Sequence, residues 1–264
     1  GRGQRSRAPP GRKRVIAALP MYARPETAGA TARLWAAIRD ALGAGPETLA
    51  EPEDLWALWE APDLLLAQTC GLPYRARLKD RVTLVGTPDF GLPGCAPGWY
   101  RSVYVVRRGT ARCLDDLRTP RFALNEPLSQ SGWAAPAAHF AATGRSFGPL
   151  TVTGSHAASA RAVAEGAFDL AALDAQTWRL LARHDPLARD LDVIGMTPPS
   201  PGLPLITARS RDAEPLARAV EAGIAALAPA DREALGLRGL VRIPSTVYLA
   251  QPLPPAPALA RDAA

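Results

Sequence analysis

Short apolar runs alternate with helix-length amphipathic segments along nearly the whole chain, and this rhythm constrains the fold more than any other feature. Val15–Leu19 predicts a strand, and Leu64–Ala67 a second one. Between them Ala28–Leu42 predicts a helix, with Leu34, Trp35, Ile38 and Leu42 at helical spacing. A strand–helix–strand unit of this kind implies a mostly parallel sheet with helices on both faces, because a parallel crossover needs a connection of helical length. Val82–Gly86 adds another strand before a Pro/Gly-rich stretch, Pro88 to Gly98.

After that stretch the rhythm resumes. Ser102–Val106 predicts a strand, Cys113–Leu117 a short element, and Arg121–Leu124 a further apolar run. Trp133–Thr143 predicts a helix ending at Gly144, followed by strand Leu150–Thr153 and helix Ala157–Glu165, closed by Gly166. Leu170–Leu173 is a strand, Ala175–His184 a helix and Val193–Gly195 a strand, and then comes the Pro-rich loop Met196–Pro204. Leu205–Ala208 and the long amphipathic helix Ala213–Leu227, with Leu216, Val220, Ile224 and Leu227 on one face, complete the pattern. The two Pro/Gly-rich segments therefore flank an inserted α/β block of about 100 residues. The expected organisation is α/β with two domains: residues 15–99 plus 203–264 form a discontinuous first domain, and residues 100–202 an inserted second one. Two hinge crossings and a cleft between the domains follow, with the hinges near Gly98–Ser102 and Thr197–Pro204.

Charge narrows the function classes. The net charge of +6 arises from residues 1–14, where Arg2, Arg5, Arg7, Arg12, Lys13 and Arg14 occur with no acidic residue. The remainder holds 25 basic and 25 acidic groups. A neutral body behind a basic, disordered tail argues against a nucleic-acid surface, which needs cations clustered on the folded face. Cys70, Cys95 and Cys113 have no zinc-ligand spacing and read as apolar residues, so neither a metal nor a cofactor is expected. No apolar run is long enough to span a membrane, and residues 1–20 lack the apolar centre of a secretory signal.

The segment Asn125-Glu126-Pro127-Leu128-Ser129-Gln130-Ser131-Gly132-Trp133 joins an apolar run to an alanine-rich helix. Two hydroxyls and several backbone N–H groups meet there at the positive end of a helix dipole, an arrangement that binds anions. Ser and Asn also serve simply as helix caps. The same double reading applies elsewhere. Tyr74 either packs under a turn or reaches a ligand, and His156 either caps the helix at Ala157 or binds. Asp174 either caps the helix at Ala175 or accepts a ligand proton, and Trp99 and Tyr100 either pack in the hinge or line the cleft.

Five stretches occur in an order similar to one family. They are Gln68-Thr69-Cys70-Gly71-Leu72-Pro73-Tyr74, Tyr100–Val106, Ser129-Gln130-Ser131-Gly132 with Pro136, Gly154-Ser155-His156 with Ala162–Gly166, and Asp169–Asp174. The chain resembles phosphate/phosphite/phosphonate ABC-transporter substrate-binding proteins of the periplasmic phosphonate-binding family, over residues 15–227. The resemblance implies the type II periplasmic-binding-protein fold, a small oxyanion ligand, an ABC-transporter permease as partner, a periplasmic location and a monomer. It also implies ligand-binding roles for Tyr74, Asn125, Ser129, Gln130, Ser131, His156 and Asp174. Gln130 stands where the family often has Thr, and Asn125 where it often has Asp. The same fold resembles small enzymes of menaquinone and thiamin-pyrimidine biosynthesis, and a cytosolic ligand sensor is a third class. Against an enzyme, the sequence offers no Ser-His-Asp order and no Gly-rich nucleotide loop.

Overall fold

A computed structural model describes residues 15–260, so the basic tail of residues 1–14 lies outside the described residues. Twelve strands and nine helices follow in order among the described residues. Strand β1 (Ile16–Ala18) leads through helix α1 (Ala28–Leu42) and the short α2 (Leu55–Trp59) to β2 (Leu64–Gln68). Helix α3 begins at Gly71–Pro73 and continues as a π-helical turn, Tyr74–Leu78, before β3 (Val82–Asp89). The chain then crosses through β4 (Trp99–Tyr100) into β5 (Ser102–Arg107) and β6 (Phe122–Leu124). A π-helical turn, Gln130–Ala134, opens α4 (Ala135–Ala142). Next come β7 (Leu150–Val152), α5 (His156–Ala164), β8 (Leu170–Asp174), α6 (Ala175–His184) and β9 (Leu191–Met196). The return passes through β10 (Ser200–Pro201) to β11 (Leu205–Ala208), α7 (Ala213–Ala226), α8 (Pro229–Leu235), β12 (Gly239–Val241) and α9 (Ser245–Leu249).

The strands form two five-stranded sheets, ordered β1-β2-β11-β3-β12 and β7-β6-β8-β5-β9. Each is mixed, which corrects the expectation of mostly parallel sheets. Only β1/β2, β6/β7 and β6/β8 pair in parallel. Strand β11 runs antiparallel to both its neighbours, and so does β5. The reason is the crossing: a strand that enters a sheet straight from the other sheet needs no helical crossover and arrives running against the βαβ strands.

Each sheet buries its own apolar clusters. Trp35 and Ile38 of α1 pack with Leu216, Val220 and Ile224 of α7 and with Leu66 and Val85 of the first sheet. In the second sheet Tyr104, Phe122, Leu124 and Leu170 pack with Trp133 and Phe140 on one face, and Val105, Leu173, Val163 and Leu181 on the other. Hydrogen bonds tie the two sheets together. Tyr22 donates to Asp174 (2.8 Å), Gln176 to the Leu235 carbonyl (3.0 Å), and Arg179 to the carbonyls of Phe90 (3.0 Å) and Gly236 (3.2 Å).

The two crossings lie side by side. Tyr100 pairs with Ser200 and Trp99 with Pro201 in a short antiparallel ladder, extended by Gly202 N–H to the Gly98 carbonyl (2.8 Å). Gly202 is required by this approach, because a Cβ there would lie 2.6 Å from that carbonyl oxygen.

The C-terminal segment departs from the sequence reading, which placed it wholly in the first domain. Arg75 donates to the Pro252 carbonyl (Nη2 2.6 Å, Nε 3.2 Å), but three residues later the Trp133 indole N–H donates to the Pro255 carbonyl (3.0 Å). Leu259 then bridges to Leu150 at the edge of the second sheet, and Ala260 N–H reaches the Leu150 carbonyl (2.9 Å). Residues 252–260 are thus a third connection between the sheets, and periodicity could not reveal it because the segment is proline-rich and forms no helix. Trp133→Phe, which removes one of its fastenings, is expected to lower stability by about 1 kcal/mol, or about 2–4 °C in Tm. A calorimetric scan showing an unchanged Tm would contradict that role.

Candidate functional site between the two sheets

Strand β6 delivers Asn125 and the following turn to the mouth of a helix. Ser129 is extended and caps that helix, its Oγ accepting from Gly132 N–H (2.9 Å). The first turn is π-helical, which widens it. A Cβ on Gly132 would overlap Asn125 Oδ1, so the glycine lets the carboxamide lie against the helix start. Ser131 Oγ lies 2.9 Å from His156 Nε2, and the Ser131 carbonyl accepts from Ser102 Oγ (2.8 Å). His156 opens α5, whose cap is Ser155 Oγ, accepting from Ala158 N–H (3.0 Å). Burial pushes the His156 imidazole down to about 4, so it is neutral at neutral pH.

Asp174 sits at the end of β8 and caps α6. Its Oδ1 accepts from Gln176 N–H (2.7 Å) and Thr177 N–H (3.2 Å), while Oδ2 accepts from the Tyr22 hydroxyl. The capping role and the location at the cleft therefore coexist. Burial raises its pKa to about 6 in spite of the Tyr22 and amide hydrogen bonds, which oppose the shift. Both Tyr22 and Tyr100 are held strongly to the neutral phenol, by burial first and by the Asp174 charge among the further causes.

The first sheet contributes Thr69 and Cys70 from the end of β2, Tyr22 from the turn after β1, and Tyr100 from the crossing. The Cys70 sulfur accepts the Gln130 N–H (3.3 Å), and the Gln130 amide nitrogen lies 3.4 Å from Ser200 Oγ. Six buried side-chain atoms among the described residues make no hydrogen bond, and five belong to this region: Thr69 Oγ1, Tyr100 OH, Asn125 Oδ1, Gln130 Oε1 and His156 Nδ1. An unpaired buried polar group costs about 1–3 kcal/mol. Such a concentration at one junction marks a place built for something other than stability.

The structure brings together Asn125, Ser129, Gln130, Ser131 and His156, with Asp174 opposite Ser102, whose Oγ donates to the Ser131 carbonyl. It does not bring Tyr74 to them. That ring packs edge-on against Tyr248 (centroids 5.5 Å apart) in a core with Trp59 and Leu78. The physical reason is register: the helix starts at Gly71, so its mouth is lined by Thr69 and Cys70, whereas Tyr74 lies a turn further on, at the core. Tyr22, Thr69 and Cys70 are the residues that sequence reasoning missed. A signal for two of them was present, since an apolar run ending in Thr69-Cys70-Gly71 is the same strand-to-helix junction as the one at Ser129. Arg75 was missed as well: it is buried, donates to Pro252, and takes part in no ion pair among the described residues. No metal-holding group of His, Cys, Asp or Glu and no membrane-spanning helix occurs among the described residues.

The family model for the periplasmic phosphonate substrate-binding proteins of ABC transporters matches residues 66–245. The chain belongs to this family. The matched region includes every site residue named above except Tyr22, so this binding protein carries its candidate site within the family's own span. No curated protein sequence matches it. Among solved structures it is similar to PhnD1 of Prochlorococcus marinus in complex with methylphosphonate, at 19% identity over 89% of this chain and 94% of that one, with a TM-score of 0.70. A binding-protein component of an ABC phosphonate transporter from Pseudomonas aeruginosa follows, at 16% identity over 87% and 82% of the two chains and a TM-score of 0.65. The arginine-, lysine-, histidine-binding protein ArtJ of Geobacillus stearothermophilus matches at 14% identity over 84% and 93%, with a TM-score of 0.57. The architecture is the type II periplasmic-binding-protein fold.

Two opposed pH effects meet at this site. The folded pKa of Asp174 is raised, so its contribution to stability is complete below about pH 4 and is lost as pH rises through about 6. The folded pKa of His156 is depressed, so its contribution is present above about pH 6.5 and is lost as pH falls through about 4. Each is on the order of 3 kcal/mol, and in the unmodified protein they largely cancel. Asp174→Asn should therefore give a protein whose stability rises from pH 4 to 6.5, and His156→Gln one whose stability falls over the same range. Denaturant titrations at several pH values check this, and slopes of the same sign in both variants would refute the assignment.

Proposed function

We propose that this binding protein captures one tetrahedral phosphorus oxyanion, a phosphonate, phosphite or phosphate, at the start of the Gln130 helix and hands it to an ABC-transporter permease. The observation that carries the reading is that five of the six buried side-chain atoms without a hydrogen bond among the described residues belong to residues on the elements that meet at this helix start. Ser129, Gln130 and Ser131 offer hydroxyls and amides to the oxyanion oxygens. His156 and Asn125 complete the shell. Asp174, with its raised pKa, is the acceptor for a protonated ligand oxygen or for an amino group on the ligand's tail. The polar ties between the sheets and the narrow paired crossing at Trp99–Tyr100 and Ser200–Pro201 fit hinge closure of two domains, residues 15–99 with 203–251 against 100–202, spanned by the C-terminal segment. A periplasmic site of action agrees with the family's description.

Capture without chemistry is the function this geometry favours. The pair Ser131 Oγ and His156 Nε2 at 2.9 Å has the spacing of a nucleophile and its base. An imidazole whose pKa is about 4 is a poor base, and its Nδ1 has no carboxylate to orient it, the atom being unpartnered among the described residues. The ligand is therefore returned unchanged, which mass spectrometry of the recovered compound tests against the enzyme alternative.

Calorimetric titration with methylphosphonate, phosphite and phosphate tests the binding itself. Ser131→Ala should weaken the preferred ligand by roughly 1–3 kcal/mol, the scale of a hydrogen bond to a charged group. Ser129→Ala should do the same and also lose about 1 kcal/mol of stability with its cap. Wild-type affinity in both variants would move the site elsewhere.

A further inference from the structure

The N-termini of two helices meet at this site, one from each sheet. The first runs without a break from Gly71 to Leu78 and has Cys70 as its cap; the second runs from Gln130 to Ala142 and has Ser129 as its cap. Their first turns pack against each other. The Cys70 sulfur lies between them, accepting the Gln130 N–H at 3.3 Å. Sulfur is a weak acceptor, so two positive helix ends face each other with little between them to balance their fields. Three buried polar side-chain atoms of this neighbourhood make no hydrogen bond among the described residues. They belong to Thr69, Tyr100 and Gln130, which are 0%, 3% and 5% exposed. The Tyr100 hydroxyl lies beside the sulfur itself.

We propose that Cys70 is a specificity-determining contact of the oxyanion site: a ligand oxygen takes over the Gln130 amide hydrogen, and the thiol is left against the ligand's non-oxygen substituent. The inference rests on the oxyanion reading given above. A thiol pairs poorly with a hydroxyl and packs well on a methyl group, so residue 70 favours a carbon substituent on phosphorus over an additional oxygen. It also makes the first sheet a direct partner of the ligand, through the Cys70 thiol.

Two measurements test it. Wild-type protein, Cys70→Ser and Cys70→Ala are titrated with methylphosphonate and with phosphate. Cys70→Ser is expected to shift the ratio of the two affinities toward phosphate by about tenfold or more, since a hydroxyl can pair with the fourth oxygen, while Cys70→Ala keeps the wild-type order. The second measurement leaves residue 70 native. In a Cys95→Ser, Cys113→Ser background, methyl methanethiosulfonate converts the Cys70 thiolate to a methyl disulfide with loss of methanesulfinate, and saturating methylphosphonate should slow that labelling at least tenfold. An unchanged affinity ratio in Cys70→Ser, or labelling indifferent to ligand, overturns the role of Cys70. If the wild-type protein binds neither anion, the oxyanion reading fails and this inference falls with it.

Discussion

The positive end of the helix that begins at Gln130 is the constraint on which the rest of the structure depends. A helix start carries N–H groups that need partners, and this one is placed between two sheets where few neighbours supply them. Ser129 satisfies one amide, and Cys70 reaches from the other sheet to satisfy another. What remains around it are five of the six buried side-chain atoms without a hydrogen bond among the described residues. That surplus of hydrogen-bonding capacity costs stability at one place.

The two sheets hold this end in place by different means. Within each sheet the packing is apolar and dense, with Trp35, Ile38, Phe122 and Leu173 almost completely buried. Between the sheets hydrogen bonds, among them Tyr22 to Asp174 and Gln176 to the Leu235 carbonyl, join apolar contacts such as Ala175 against the cluster of Leu92, Tyr100 and Leu203. The C-terminal segment from Pro252 to Ala260 adds a tether fastened at Arg75 on one side and at Trp133 and Leu150 on the other. The Arg75 and Trp133 fastenings lie within about a turn of the helix starts that meet at Cys70.

Much of this was legible in the sequence. The periodicity at Leu34, Trp35, Ile38 and Leu42 gives α1 its observed bounds, and one strand of the paired crossing directly follows the first Pro/Gly-rich stretch while the other lies within the second. Ser129 and Ser131 were recognisable because a strand-to-helix junction with hydroxyls has a local signature. Strand direction was not legible, because antiparallel β5 and β11 follow from the route of the crossing and leave no trace in local pattern. Tyr74 was misread for a related reason: resemblance locates a segment to within a turn, and one turn of helix moves a side chain from the cleft to the core. Arg75 and Cys70 escaped because their meaning depends on partners far along the chain, Pro252 and Gln130. The formally neutral body likewise hides one buried guanidinium without a counter-charge among the described ion pairs.

The central claim is that a phosphorus oxyanion binds at the amides of the Gln130 turn. Backbone NMR of the 15N-labelled protein, titrated with methylphosphonate, reads those amides directly. The account predicts saturable downfield shifts of the Gln130, Ser131 and Gly132 amide protons, with those of Gly71 and Leu72 moving over the same concentration range. Saturable binding that leaves these five amides unmoved while others shift would contradict it.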